Sequence, residues 1–336
     1  MTRLMTRFVA CVFTRWLARW MAAGVLHATA LQAHAATWSV AAGTALPTVA
    51  QAVARAASGD VIEVQPGQYR GDVAIILQKQ LTIRGVGTRP VILAAGRHAE
   101  GKAIWVVRDG DIRIENIEFR GARVPDRNGA GIRFEKGRLH IVACAFYDNE
   151  MGLLTANFGD AELSIEDSHF GQAPTHAGDL HHLLYVGRIA RVSVRNSHFS
   201  QGFKGHLIKS RARQTEVIGS SVVDGPQGRA SYQIDLPNGG VARLQGNTIG
   251  KGAQAENATL VAFGAEGAAW PESALTMQDN RLINQGGAPA HFVRVWPDRL
   301  PAAAPVVLRG NQLVGRGDLL AGPGARLEGN QTGARR

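Results

Sequence analysis

Apolar and polar residues alternate in short runs along most of this chain, and one such run recurs every 24 to 33 residues. Each copy has two alternating apolar residues, then Asn, Asp or a small residue, and then an aromatic or aliphatic residue. The copies span residues 112–119, 139–146, 163–170, 192–199, 275–282 and 306–313. A period of this length is typical of a solenoid, in which each coil buries its apolar face by stacking on its neighbours. The pattern therefore predicts one repeat domain of short strands over residues 36–336.

One segment near the start of this domain has helical rather than strand spacing. Leu46, Val49, Val53 and Ala56 would lie on one face of a helix, and Gly59 is a natural stop. A helix over about residues 46–58, laid across the first coil, would cover edge strands that could otherwise pair with other chains. We therefore expect an all-β solenoid with an N-terminal capping helix.

The first 35 residues have the composition of an export signal. Arg3, Arg7, Arg15 and Arg19 occur there without any acidic residue, and an apolar stretch and small residues follow. This order is typical of a secretory signal peptide. The alternative is a membrane anchor, but the apolar run is shorter than the ~20 residues of a spanning helix. Residues 1–35 are therefore predicted to be a signal peptide, and the protein to be periplasmic or secreted.

Removal of that segment changes the charge and cysteine content. The chain has 37 basic and 27 acidic residues, so loss of the four arginines leaves 33 − 27, a net charge of +6 instead of +10. For an exported protein, a moderate positive charge favours an acidic polysaccharide over nucleic acid as a partner, with no membrane span after cleavage. Cys144 would be the one remaining cysteine, and we expect it to be a small buried hydrophobe.

Strand alternation then separates core positions from outward ones. Burying Lys209 and Arg211 unpaired would cost several kcal/mol each, so both are predicted to point outward. Matching the coils places Tyr185, Lys209 and Asp235 in one outward row on three successive coils, about 4.8 Å apart. The same test turns Arg133 outward, while both faces of the strand that follows His182 are apolar, so its orientation stays open. A slip of one residue would reverse every side chain.

The residue types of this row suit β-elimination on a uronate polymer. That reaction needs a base, a positive group that stabilises the enolate-like charge, and a proton donor for the leaving oxygen. Lys209 and Arg211 are the candidate catalytic residues, and Tyr185, Asp235, Arg188, His182 and Arg133 are the candidate substrate-binding residues. Asp235 would favour the charged form of the lysine, which makes Lys209 a poorer base.

Two stretches resemble a known superfamily. The helix, the segment from Gly59 to Tyr69 and the coils with Asn or Asp after each strand resemble the right-handed parallel β-helix of the pectate-lyase superfamily. The strand Ile208-Lys209-Ser210 is similar to the Lys-Ser strand of the chondroitinase-B-like alginate lyases, and the resemblance implies that Lys209 is the general base. That family has an Arg-His-Gly strand on the next coil, where this chain has Ile234-Asp235-Leu236.

The sequence therefore predicts an exported, carbohydrate-active β-helix protein that acts as a polysaccharide lyase on an acidic glycan. The alternative is a non-catalytic periplasmic or surface protein that binds glycan or assists envelope or exopolysaccharide assembly. Hydrolysis is disfavoured, because Glu135 and Asp235 are about four coils apart, too far for a carboxylate pair. No metal is predicted from the histidines near His181, and calcium stays open because no ligand cluster is recognised. We expect a monomer.

Overall fold

The protein is a parallel β-helix in which three sheets run the length of the domain. The computed structural model describes residues 35–175, 180–302 and 304–333. Every pairing between the named strands is parallel, and each strand inside a sheet pairs with the strands one coil before and one coil after it. The predicted parallel β-helix is confirmed. The predicted signal peptide lies outside the described residues.

The three sheets have 12, 11 and 10 strands within the described residues. The 12-stranded sheet contains Thr37–Val40, Val61–Val64, Gln80–Gly85, Asp111–Glu115, Arg138–Val142, Glu162–Glu166, Arg191–Arg195, Gln214–Ile218, Val241–Gln245, Ala274–Gln278, Val306–Arg309 and Arg326–Glu328. The 11-stranded sheet contains Gln68–Arg70, Val91–Leu93, Glu118–Arg120, Ala145–Tyr147, His169–Gly171, His198–Phe199, Ser221–Val223, Thr248–Lys251, Arg281–Asn284, Gln312–Val314 and Gln331–Gly333. The 10-stranded sheet contains Ala74–Ile76, Ala103–Val107, Ala130–Phe134, Met151–Thr155, Leu184–Val186, Ile208–Ser210, Ile234–Leu236, Thr259–Phe263, Ala290–Val295 and Gly317–Leu320.

A helix and a short 3-10 turn complete the described elements. The α-helix spans Val49–Arg55, and the 3-10 turn spans Pro297–Arg299. The helix is shorter than predicted because the Thr48 side chain caps it, accepting a hydrogen bond from the Gln51 amide, and because Ala56 is already extended. Val49, Ala52 and Val53 pack into the main apolar core. Its role as a cover for the first coil stays a prediction. None of the described helices has the length and hydropathy to cross a membrane.

One part of the core is a stack of phenylalanine rings, one from each of four successive coils. Phe119, Phe146, Phe170 and Phe199 stack with ring centroids 4.5 to 5.2 Å apart, all almost fully buried. The Trp105 ring meets Phe119 edge-on at 4.8 Å, so this tryptophan belongs to the core. In-register pairing places each ring above the equivalent ring of the next coil, at the strand spacing.

Polar residues occupy the turns after the strands of the 12-stranded sheet. The repeat predicts that Asn116, Asp167 and Asn196 bond backbone groups of these turns from coil to coil. Asn116 does so, since its side-chain nitrogen donates to the Gly85 and Gly87 carbonyls at 3.1 and 3.0 Å. All three residues adopt positive φ angles of 48° to 51°, which Asn and Asp tolerate better than most residues. From Asp167 onward, a continuous ladder between coils is made by the buried residue one position further on: Ser168, Ser197, Ser220, Asn247, Asn280 and Asn311. The Ser-His-Phe sequence, which recurs at 168–170 and 197–199, is therefore structural.

Cys144 is expected to resist thiol reagents in the folded protein. Its side chain is fully buried, and desolvation raises the pKa of the thiol to about 12. The reactive thiolate is therefore scarce at pH 8. Mass spectrometry of the peptide that contains Cys144 should show little alkylation by iodoacetamide before unfolding and complete alkylation in guanidinium chloride. Rapid modification of the folded protein would contradict this placement.

Candidate functional site on the 10-stranded sheet

The predicted outward row is present in the predicted register. Tyr185 pairs with Lys209, and Lys209 pairs with Asp235, on three successive strands of the 10-stranded sheet. On each strand the two flanking residues are buried inside the helix: Leu184, Val186, Ile208, Ser210, Ile234 and Leu236. Because side chains alternate along a strand, the three middle residues project from the outer face.

The alternation does not extend to the residues before the strand. Applied to 205–211, it places Leu207 outward and His206 inward, but Leu207 is fully buried and His206 faces the polar cluster. The strand begins only at Ile208, and the residues before it do not follow the pleat. His206 is thus a site residue that the sequence pattern assigns to the wrong face.

Lys209 lies between two carboxylates. Its ammonium nitrogen is 3.3 Å from Asp235 Oδ2 and 2.8 Å from Glu266 Oε1. The Lys209 side chain is 10% exposed and that of Asp235 2%. Asp235 Oδ1 is buried without a hydrogen-bond partner among the described residues, so the charge of this carboxylate is balanced mainly through Oδ2.

Arg211 is held through all three nitrogens of its guanidinium group. Nε donates to the Tyr185 hydroxyl at 3.2 Å, one terminal nitrogen donates to Asn238 Oδ1 at 2.7 Å, and the other donates to Glu266 Oε2 at 2.6 Å. Partial burial acts to lower the pKa of Arg211, but its hydrogen bonds and electrostatic interactions with Tyr185 and Glu266 outweigh it and raise that pKa. The guanidinium group is therefore charged and fixed in orientation.

Two histidines lie behind the row. His182 Nδ1 accepts the His206 backbone amide at 2.9 Å, and His206 Nδ1 accepts the Tyr232 amide at 3.2 Å. Each ring must then carry its proton on Nε2 when neutral. His206 Nε2 lies 3.2 Å from Asp235 Oδ2, so it can donate to that carboxylate. Burial, followed by the nearby positive groups, lowers the pKa of His182 well below its ordinary value, so this ring is neutral at physiological pH.

Arg188 lies at one margin of the cluster. Its guanidinium group is 4.1 Å from the centre of the Trp270 ring, and the indole nitrogen of Trp270 donates to the Arg211 carbonyl at 3.1 Å. The tryptophan thus connects the two arginines, and its ring is covered by Arg188. This contact explains why Trp270 is only partly exposed.

Arg133 lies in the same row but in a different cluster. Leu154 separates it from Tyr185, which puts Arg133 three coils, about 14 Å, from Lys209. Its Nε is 3.3 Å from Glu135 Oε1, and Lys102 contacts the same oxygen at 2.9 Å. Of the predicted residues, Tyr185, Lys209, Arg211, Asp235 and His182 come together, Arg188 borders them, and Arg133 stands apart.

Glu266 and Asn238 were not identified from the sequence. Glu266 lies in a loop after the strand Thr259–Phe263, between Gly264 and Gly267, and reaches back two coils to Lys209. Asn238 follows the strand that carries Asp235. A side chain in an irregular loop has no periodic position, so nothing in the repeat predicts where its carboxylate points.

Metal ligands are not clustered in the described part of the chain. No group of three or more His, Cys, Asp or Glu side chains there is arranged to hold an ion. His176 and Asp179, which precede His181 in the sequence, lie outside the described residues.

A second polar arrangement occupies the outer face of the 12-stranded sheet. His140 Nδ1 is 2.9 Å from the Ser164 hydroxyl, and its Nε2 is 3.1 Å from Asp111 Oδ1. Asp111 and His140 line broad, open surface depressions that also carry paired charges. The ring-nitrogen roles are opposite to those of a catalytic triad, in which Nε2 faces the serine. We interpret these contacts as surface hydrogen bonding.

Comparisons with known proteins concern the fold. No family model and no curated protein matches this chain. Among solved structures, the PL6 family alginate lyase AlyGC is 17% identical with a TM-score of 0.49, over 89% of this chain and 40% of that one. ORF18 of Geobacillus virus E2 is 12% identical with a TM-score of 0.50, over 82% and 53%. An alginate lyase from Paenibacillus sp. str. FPU-7 is 16% identical with a TM-score of 0.47, over 88% and 99%.

This chain therefore spans about two fifths of AlyGC and about half of ORF18. At such identities a likeness extends to the fold and not to the activity. The class of protein is a parallel β-helix, and the function has to be argued from the polar cluster.

Proposed function

We propose that this protein recognises a uronate-containing polysaccharide at the cluster of Lys209, Arg211, Tyr185 and Asp235, and cleaves it by β-elimination. The observation that carries the proposal is the position of the Glu266 carboxylate. One of its oxygens is 2.8 Å from Lys209 Nζ and the other is 2.6 Å from an Arg211 nitrogen. The two cations are thus spaced to hold a carboxylate, which is the group that distinguishes a uronate from a neutral sugar.

The same pair suits the charge that develops in β-elimination. Removing the proton next to a carboxylate places additional negative charge on its oxygens, and cations fixed in advance stabilise that charge. Arg211 would hold the carboxylate, and Tyr185, which accepts a hydrogen bond from Arg211, would lie beside the reacting sugar. Lys209 would take the proton, as the resemblance to alginate lyases implies. The carbon–carbon double bond would then form as the bond to the leaving glycosidic oxygen breaks, and the Tyr185 hydroxyl, which accepts from Arg211 and keeps its own proton, would protonate that oxygen. The role of Lys209 requires Glu266 to leave, because Glu266 Oε1 lies 2.8 Å from the Lys209 nitrogen, where the substrate would have to approach.

A non-catalytic role is the second candidate. It is favoured by the same ion pairs, since a lysine that stays protonated can bind an anion but cannot act as a base. In this role the protein would hold an acidic glycan, or assist its assembly in the envelope, without cleaving it. Export to the periplasm or outside the cell, and a monomeric state, belong to both proposals.

Arg211→Lys is expected to lower kcat/KM on a uronate polymer about 100-fold, or about 2.7 kcal/mol. Lysine keeps the charge but cannot bond Tyr185, Asn238 and a carboxylate at the same time. The assay follows the ultraviolet absorbance of the unsaturated uronate product over alginates, pectates and glycosaminoglycans. Arg213→Lys is the matched control, because Arg213 also pairs with a loop glutamate, Glu272, but is 58% exposed outside the cluster.

Binding and product assays of the wild-type protein distinguish the catalytic role from the non-catalytic one. Binding without product, weakened in the Arg211 variant, would support the non-catalytic role. Neither binding nor product with any of these polymers would refute the proposal as a whole.

A further inference from the structure

The Glu266 carboxylate occupies the position that the carboxylate of a bound ligand would take. Its carboxylate bridges Lys209 and Arg211 in a two-point contact, yet its side chain remains 45% exposed. Partial burial acts to raise the pKa of Glu266, but the hydrogen bonds from Lys209 and Arg211 outweigh it and hold that pKa below its ordinary value. The side chain is therefore a charged carboxylate at the edge of solvent.

Both cations have contacts other than Glu266 that would hold them in place without it. Arg211 retains its hydrogen bonds to Tyr185 and Asn238, and Lys209 retains Asp235 at 3.3 Å. Removing Glu266 changes the formal charge of Lys209, Arg211, Asp235 and Glu266 from zero to +1. What remains is a prearranged site for one external carboxylate.

The loop backbone is fixed on both sides of Glu266. Its own amide donates to the Pro237 carbonyl at 3.0 Å, and the Gly267 carbonyl accepts from Asn238 at 2.6 Å. The Ala265 carbonyl accepts a hydrogen bond from Arg299. Rotation of the glutamate side chain into solvent would therefore open the site while the loop stays in place.

We propose that Glu266 is a built-in competitor that occupies the carboxylate site of Lys209 and Arg211 until a carboxylate of an acidic glycan displaces it. The identity of the glycan rests on the function proposed above, whereas the competition itself does not. Single carboxylates would compete poorly with a tethered one, because the tether gives Glu266 a high effective concentration. A polymer with a carboxylate on successive sugars would compete better, so Glu266 would select polymers over small anions.

Glu266→Gln is expected to tighten binding of uronate oligosaccharides by about 10- to 100-fold, since apparent affinity falls with the fraction of protein whose site is open. Calorimetric titration of wild type and variant with galacturonate, mannuronate and guluronate oligomers measures the change. Glu272→Gln, which also removes a loop glutamate from an arginine, should leave the affinity unchanged. Equal or weaker binding by Glu266→Gln, while wild type binds normally, would overturn the competition and leave the glycan function standing.

A second experiment needs no glycan. Sodium acetate should raise the melting temperature of Glu266→Ala more than sodium chloride of equal ionic strength does, because free acetate refills the vacated site. Wild type and Glu272→Ala should show no difference between the two salts. An acetate effect in Glu266→Ala alone would support the competition even if no glycan binds, whereas its absence in Glu266→Ala would refute it.

Discussion

Replacing Lys209 with methionine should lower the free energy of unfolding by about 3–5 kcal/mol, although the two side chains have similar volumes. The substitution removes the ammonium group that balances Asp235, whose side chain is 2% exposed. Glu266 can turn into solvent and be hydrated, but Asp235 cannot. The remaining contact of Asp235 would be His206 at 3.2 Å, which balances the charge only when that ring is protonated.

Urea denaturation of the purified protein measures this loss. Lys204→Met is the matched control, because Lys204 is 3.8 Å from the exposed Glu256 and should contribute less than about 1 kcal/mol. The double variant Lys209→Met with Asp235→Leu should recover much of the stability, since it leaves no buried charge. If Lys209→Met differed from wild type by less than the Lys204 control, Asp235 would not depend on the lysine.

Because Lys209 is expected to stabilise the fold, the measured activity of a Lys209 variant also depends on how much of that variant is folded. A variant that lacks activity because it is partly unfolded gives no information on the base. The double variant separates the two effects, because it restores the fold without restoring an amine. Loss of product formation by a stable double variant would be assigned to the missing lysine only if Asp235→Leu alone, which keeps the amine, still forms product.

The register of the site could be predicted from the sequence because burying an unpaired lysine or arginine costs desolvation energy. Lys209 and Arg211 differ by two positions, so one face of the strand had to carry both cations, and only the outer face could. With that strand fixed, in-register stacking placed Tyr185 and Asp235 on either side of Lys209. Regular repeats thus carry positional information from one coil to the next.

The contacts that define the chemistry of the site could not be predicted in the same way. Glu266 is 57 residues from Lys209, and it reaches the site from a loop whose path depends on hydrogen bonds to Asn238 and Arg299. His206 lies two residues before Ile208, where the alternating strand begins. The ladder serines lie one position after Asp167 and Asn196, since the sequence does not show which residue of the turn has positive φ.

The largest effect on the fold alone is expected for Phe146→Ala, at about 3–5 kcal/mol. Phe146 is 1% exposed and stacks between Phe119 at 5.2 Å and Phe170 at 4.5 Å. Parallel strands fix the spacing of the coils above and below, so the neighbouring rings cannot move together to fill the cavity. In a solenoid each coil is stabilised through its neighbours, so the loss should reach the coils on both sides.

Urea denaturation and hydrogen exchange test this expectation together. Phe158→Ala removes the same ring from a position that is 47% exposed, and should change the stability by less than about 1 kcal/mol. Phe146→Leu should lose less than the alanine variant, because it refills most of the volume. Faster exchange in Phe146→Ala should appear in the strands Glu118–Arg120 and His169–Gly171, which pair with the strand of Phe146. Equal stability of the Phe146→Ala and Phe158→Ala proteins would mean that the aromatic stack does not hold the coils together.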